Sequence, residues 1–294
     1  MSKVSEELKH YIESHSELIQ VKPSTLYPNF SVIKYKNKCF YKNIWNKYIE
    51  QCRGLVVDND WNIINYPLTK IFNYGIESKA PRISGEEYVT AVRKINGFMA
   101  AVSVHNNELI VSTTGTLDSD YAKLAKQEIE RCISINDLEL NNTYIFEICH
   151  SSDPHIIPEI EGVYFLGKRE NILYSKICSS YLDGINDTLR VIYPEVRVDK
   201  FNNIKQHVKT VKHEGYVIYT IDGRSTKIKS PYYLFNKFLA RTKDTAKILD
   251  KHAKRNLPEE FYPVIDQVQK DIDNFISLKE QDRLNYIKNI FENL

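Results

Sequence analysis

The sequence has no run approaching the ~20 apolar residues of a membrane-spanning helix, so no transmembrane segment is expected. Its first residues, Ser2-Lys3-Val4-Ser5-Glu6-Glu7, lack the apolar stretch of a secretory signal. Five cysteines (Cys39, Cys52, Cys132, Cys149 and Cys178) are odd in number and form no C-x-x-C pair, which argues against structural zinc and a disulfide framework. The expectation is a reduced, soluble, cytoplasmic protein. Excess charge of one sign is missing too, because 40 Lys and Arg face 38 Asp and Glu for a net charge of +2. A polyanionic partner would have to be met by local clusters rather than by an overall field. There is no internal repeat or low-complexity segment.

With 294 residues, 42% of them hydrophobic, the chain can build one large domain and a small appendage. Residues 5–20 carry an interrupted apolar stripe that predicts a first helix. Residues 53–60 read as a strand. Residues 98–104 and 108–113 flank Asn106-Asn107, and residues 215–221 and 224–229 flank Asp222-Gly223, so both pairs predict β-hairpins. Ser119 is placed to cap a helix through about residue 133. Further strands are expected at 143–149 and 162–167, and helix from Tyr233 onward, divided by Pro258 and Pro263. Strands in the middle, helices at the end and no βαβ alternation predict an α+β fold of antiparallel sheets with flanking helices and a small helical C-terminal domain.

Chemistry concentrates in a few short segments. Lys94-Ile95-Asn96-Gly97 precedes an apolar strand, and Lys227 and Lys229 are two apart on another, which puts both on one face. Glu147 and Glu214 interrupt apolar strands, in Ile145-Phe146-Glu147-Ile148 and Glu214-Gly215-Tyr216-Val217-Ile218. Each has an ordinary reading, as a solvent-facing charge on a sheet. Their order, with Cys52-Arg53-Gly54-Leu55-Val56-Val57, Leu68-Thr69-Lys70-Ile71-Phe72-Asn73 and Gly162-Val163-Tyr164-Phe165-Leu166-Gly167, gives them weight together.

This ordered set resembles the covalent nucleotidyltransferases, and is most similar to ATP-dependent RNA ligases of the bacteriophage RNA-ligase-1 type. The resemblance covers roughly residues 50–235 and implies an adenylyltransferase domain over 1–230 and a helical domain over 231–294. It implies Lys94 as the nucleophile that takes AMP from ATP, with Gly97 letting the following turn tighten against the nucleotide. Lys227 and Lys229 would steady the α-phosphate and serve as the cationic neighbours that activate Lys94. Arg53 and Lys70 would hold phosphates, and Glu147 the ribose hydroxyls. Phe165, with Tyr164 as its rival, would cover the adenine. Glu214 and Glu147 would hold magnesium, or manganese in its place. Two departures stand out: Asn96 where these ligases often carry aspartate, and Thr113-Thr114-Gly115-Thr116 where phage relatives tend to carry a lysine.

Beyond Lys229 the sequence shows helical periodicity rather than the strand series of an OB domain, which separates it from DNA ligases and capping enzymes. Lys243, Lys247, Lys251 and Arg255 recur at i, i+4 and predict one basic stripe for an RNA backbone, with a solvated helix face as the alternative. The lysine- and aromatic-rich stretch from Lys34 to Lys47 is a second candidate. The expected activity is sealing of 5′-phosphate and 3′-hydroxyl RNA ends through lysyl-AMP and RNA-adenylate, in RNA or tRNA repair, alongside an end-healing kinase-phosphatase and without a membrane. The alternatives are a capping guanylyltransferase or DNA ligase of the same superfamily, or a catalytically silent RNA-binding protein on this fold.

Overall fold

The computed structural model describes residues 2–153, 155–177, 190–242 and 244–294. Within them, twelve strands form three four-stranded antiparallel sheets. The first sheet runs β1 (Ile19–Pro23), β2 (Phe30–Tyr35), β3 (Arg53–Asp58), β4 (Ile63–Asn65) in spatial order. The second, in the order β10-β5-β11-β12, joins β5 (Tyr88–Arg93), β10 (Val196–Lys200), β11 (Gly215–Thr220) and β12 (Ser225–Lys229). The third, in the order β7-β6-β8-β9, joins β6 (Phe98–His105), β7 (Glu108–Thr113), β8 (Asn142–Cys149) and β9 (Gly162–Glu170).

Local chemistry sets several of these boundaries as expected. Asn106 and Asn107 both take positive φ, 49° and 60°, the geometry of a two-residue turn whose twist matches its strands. That turn fixes the register of β6 on β7 from His105↔Glu108 to Ala100↔Thr113. The Ser119 hydroxyl accepts from the Ala122 amide and starts a helix at Asp120–Cys132. The first helix, by contrast, is α1 (Glu6–Ser14), not the whole of 5–20. The Ser14 hydroxyl bonds back to the His10 carbonyl, His15 leaves the helical region, and Ile19 opens a strand opposite Tyr35.

Helices close one face of each sheet. α1 and the short α2 (Lys38–Tyr41) cover the first sheet around Leu8, Ile12, Ile33, Leu55 and Tyr66. The Ser119-capped helix α3 lays Ala125 and Ile129 against Ala100, Val102 and Phe146. α4 (Phe201–Val208) lays Phe201, Ile204 and Val208 on Val89, Ala91, Tyr216 and Ile218. The first and third sheets share a seam of Val32, Val56 and Ile64 with Ile110 and Leu117.

The C-terminal part has its own apolar centre, drawn from α5 (Pro231–Arg241), α6 (Ala253–Asn256), α7 (Tyr262–Lys270), α8 (Ile272–Ser277) and α9 (Glu280–Glu292). Phe238, Phe261 and Phe291 meet there with ring centroids 5.4, 6.3 and 6.1 Å apart. Burial of each such ring contributes about 1.5–3 kcal/mol, which holds the tail together as a unit. The expected basic helix is not present. Lys247 lies in a 3-10 turn (Thr245–Ile248), Lys251 in the bend after it and Arg255 in α6, while Lys243 lies outside the described residues. The side chains of Asp244 and Asp250 accept from the amides of Ala246 and His252, and each restarts the chain in a new turn. Lys247, Lys251 and Arg255 therefore do not share one helix face. Among the described residues, no helix is long and apolar enough to cross a membrane.

Candidate active site

The second and third sheets, with β3 and the 68–71 segment, enclose a cavity of about 410 Å³. Its walls hold Arg53, Lys70, Lys94 and Lys227, the carboxylates of Glu147 and Glu259, and apolar surface from Val92, Phe98, Met99, Leu166 and Val217. A volume near the lower end for ligand clefts, apolar walls and convergent cations suit a flat heteroaromatic ring carrying anionic groups.

Lys94 sits just past the end of β5, its amide donating to the Gly215 carbonyl at 2.9 Å. Its side chain is 25% exposed, so the ammonium reaches the cavity while its stem is held. Nζ lies 3.1 Å from Glu214 Oε2, and Lys229 Nζ lies 3.0 Å from Glu214 Oε1. Glu214 thus bridges the two lysines. Burial opposes its charge, but Lys94 and Lys229 outweigh burial and hold its carboxyl down to about 2. Gly215 follows with φ +129°, and a side-chain carbon there would stand 2.0 Å from the Ile228 carbonyl oxygen. Only glycine lets β11 approach β12 so closely beside Glu214.

Gly97 lines the cavity, and a second constraint also keeps a side chain off it. A side-chain carbon at Gly97 would fall 2.3 Å from the Ile148 carbonyl oxygen, so it is β8 that passes too close. The Gly97 amide donates to Glu147 Oε1 at 3.3 Å. Burial raises the Glu147 carboxyl against the pull of Lys94.

The other cations are less exposed than charges read from sequence alone. Lys70 is 7% exposed and lies 4.7–5.1 Å from the rings of Phe40, Trp45 and Phe72. It pairs with Glu77 at 2.8 Å and with Glu259 at 3.0 Å. Arg53 donates to the Leu68 carbonyl at 3.3 Å and borders the cavity. On β12, Lys227 lies 3.4 Å from Glu259, while Lys229 pairs with Glu260. Burial brings Lys227 down to about 8 despite Glu259, with Lys229 and Lys70 adding to the descent. Burial is outweighed at Lys229 by Glu214 and Glu260, which raise it well above the ordinary lysine value.

Phe165 is not at the cavity. Its ring is fully buried among Tyr144, Phe146 and Val163, and strand alternation gives the cavity wall to Leu166. Tyr164 packs with Ile95, Cys149 and Ile192. Sequence reading also missed Glu259 and Glu260, which a 3-10 turn at Glu259–Phe261 brings from the tail to the lysines of the sheets. An acidic pair after Pro258, in an otherwise basic stretch, was the signal available. Asn96 is buried away from the cavity, and its amide donates to the Ile157 carbonyl at 3.4 Å. Its difference from aspartate is therefore felt at Ile157. Thr114 does line the cavity, and the Lys34 ammonium stands 3.3 Å from where a side chain on Gly115 would begin.

Residues 51–233 match the family described as RNA ligase. The chain belongs to the RNA ligase family. The match spans more than half of the chain and covers Arg53, Lys70, Lys94, Glu147, Glu214, Lys227 and Lys229. It bears out the expected enzyme class, an ATP-dependent RNA ligase of the RNA-ligase-1 type. Among curated proteins, none matches. An archaeal ATP-dependent RNA ligase in one form is similar over 99% of this chain and 76% of its own, with TM-score 0.60 at 11% identity. A second form is similar over 97% and 75%, with TM-score 0.57 at 11% identity. A structure from Aquifex aeolicus, described as an ATP-dependent DNA ligase, is similar over 97% and 77%, with TM-score 0.55 at 12% identity. These likenesses establish the antiparallel nucleotidyltransferase-type fold. Fold alone does not divide RNA from DNA ligation, and it is the family match that does.

Proposed function

We propose that this RNA ligase works in three steps, two adenylyl transfers through Lys94 followed by closure of the phosphodiester. The Lys94 amine attacks the α-phosphate of ATP, an N–P bond forms and pyrophosphate leaves. AMP then passes to the 5′-phosphate of an RNA end, and a 3′-hydroxyl displaces it to close a 3′–5′ phosphodiester. Such ends are those an end-healing kinase-phosphatase leaves. The single observation that carries this reading is the Lys94–Glu214–Lys229 bridge at a cavity also walled by Arg53, Lys70 and Lys227. An amine on a supported stem, facing several fixed cations, is what stabilising charge on a departing polyphosphate requires.

Within this reading Leu166, Val92 and Val217 flank the base, and Lys70, Lys227 and Arg53 draw the phosphates. Glu147 is assigned to the ribose. Residues 1–230 carry the chemistry, and 231–294 form the helical domain that supplies Glu259 and Glu260. The described residues hold no group of three or more His, Cys, Asp or Glu side chains fit to hold a metal. Both oxygens of Glu214 are engaged by ammonium groups. Glu147 and, once phosphates draw the lysines off it, Glu214 are the oxygen donors that would hold a hard divalent cation arriving with the phosphates, magnesium in particular. When bound, that cation neutralises phosphate charge.

Labelled ATP should leave a denaturation-resistant label on the chain, and the labelled enzyme should seal 5′-phosphate RNA to 3′-hydroxyl RNA. Label from GTP instead would make it a capping guanylyltransferase. Sealing of nicked DNA with no sealing of RNA would make it a DNA ligase, and no label from either nucleotide would make it a silent binding protein. A pH dependence follows from Lys227. Its folded value of about 8 means that its charge is present at neutrality and lost as the pH rises through that value. Affinity for ATP, followed by calorimetry from neutrality upward, should fall across that window. An unchanged affinity would remove Lys227 from the phosphate contacts.

A further inference from the structure

The cations assigned to the phosphates already face an anion. Glu259 Oε1 accepts from Asn73 Nδ2 at 2.7 Å, Lys70 Nζ at 3.2 Å and Lys227 Nζ at 3.4 Å, and its Oε2 lies 3.0 Å from Lys70 Nζ. Asn73 is 1% exposed and Lys70 7% exposed, so these donors form a built anion site rather than a chance surface pair. Glu259 also borders a second cavity, of about 350 Å³, walled by Lys254, Arg255, Tyr41 and Tyr262. The guanidinium of Arg255 lies 5.7 Å from the Tyr41 ring and offers a second cationic partner.

We propose that Glu259 is an internal competitor for ATP. Its carboxylate stands where the outer phosphates go and swings into the Lys254–Arg255 cavity when they arrive. The proposal rests on reading the first cavity as the ATP site. Lys70 already carries Glu77 at 2.8 Å beside Glu259, so a polyphosphate arriving at Lys70 and Lys227 crowds Glu259, because like charges at contact distance repel strongly in a low-dielectric site. The triphosphate carries more charge than one carboxylate, and so it displaces Glu259 and loosens the turn at Glu259–Phe261 from the sheets. Glu260 behaves differently. It does not border the ATP cavity, and it pairs with Lys229 and, at 3.0 Å, with Lys237. It is a positioning residue that stays in place.

The test is calorimetric binding of ATP, inorganic pyrophosphate and AMP to the full chain and to Glu259→Gln. The amide keeps the side chain's shape and its acceptor oxygen but removes the charge. Affinity for ATP and pyrophosphate should rise on the order of tenfold, the weight of one charge-assisted contact, with AMP unchanged. Unchanged or weaker pyrophosphate binding would overturn the proposal by making Glu259 a support for the lysines. Equal tightening of AMP would overturn it as well, since that marks general loosening of the cavity. Glu260→Gln should show no selective gain for pyrophosphate, and the same gain there would deny Glu259 its distinct role. Pyrophosphate binding requires no covalent transfer to Lys94, so this outcome is separate from failure of the adenylyl-transfer reading.

Discussion

Replacing Lys94 with alanine is expected to abolish covalent labelling by ATP, while sealing of RNA already carrying a 5′-adenylate is retained in measurable part. Other amines are close, but each is held elsewhere. Lys229 is fixed between Glu214 and Glu260, Lys227 faces Glu259, and Lys70 is enclosed by Glu77, Glu259 and three rings. None of these has the partly exposed, strand-end setting of Lys94. Sealing of adenylated RNA survives because it needs the phosphate contacts and not the attacking amine. Denaturing gels with labelled ATP and, in parallel, with pre-adenylated RNA separate the two. Persistent labelling of the variant would show that another group is the nucleophile.

The second large effect is expected at Glu214. Glu214→Ala removes the carboxylate shared by Lys94 and Lys229 and leaves two ammonium groups facing each other in a buried site. Removing one partner of a buried pair typically costs about 3–5 kcal/mol. Lys229 keeps Glu260 and Lys94 is partly exposed, which places the loss toward the lower end. Labelling should slow by roughly 10²–10³, as for loss of one preorganised electrostatic contact. Urea unfolding and single-turnover labelling read these two effects separately. The pH dependence has a definite sign. The folded value of about 2 lies below that of an unfolded glutamate, so the stabilisation is present above the ordinary carboxylate range and is lost as pH falls toward 2. Wild-type stability and labelling in the variant would mean that the bridge is not part of the site.

What the sequence revealed and what it hid follow from the range of each interaction. The Asn106-Asn107 turn and the Ser119 cap are local devices written within a few residues, and both appear where their chemistry puts them. The segments around Lys94, Glu147, Glu214 and Lys227 come together because each is tied to a strand whose period is fixed. Phe165 was misread because Val163, Tyr164, Phe165 and Leu166 are apolar in succession, and a strand covered on both faces gives no alternation to choose a side. The basic stripe failed because Asp244 and Asp250 offer the backbone local partners that compete with a continuous helix. Glu259 meets Lys70 across 189 residues of sequence, and no short-range pattern encodes such a pairing.

The most direct measurement is mass-spectrometric mapping of the chain after incubation with ATP and magnesium in the absence of RNA. A single AMP adduct on the peptide containing Lys94, lost on addition of pyrophosphate as ATP re-forms, is the expected result. An adduct on Lys70, Lys227, Lys229 or any other residue, or no adduct while RNA is still sealed, would contradict it.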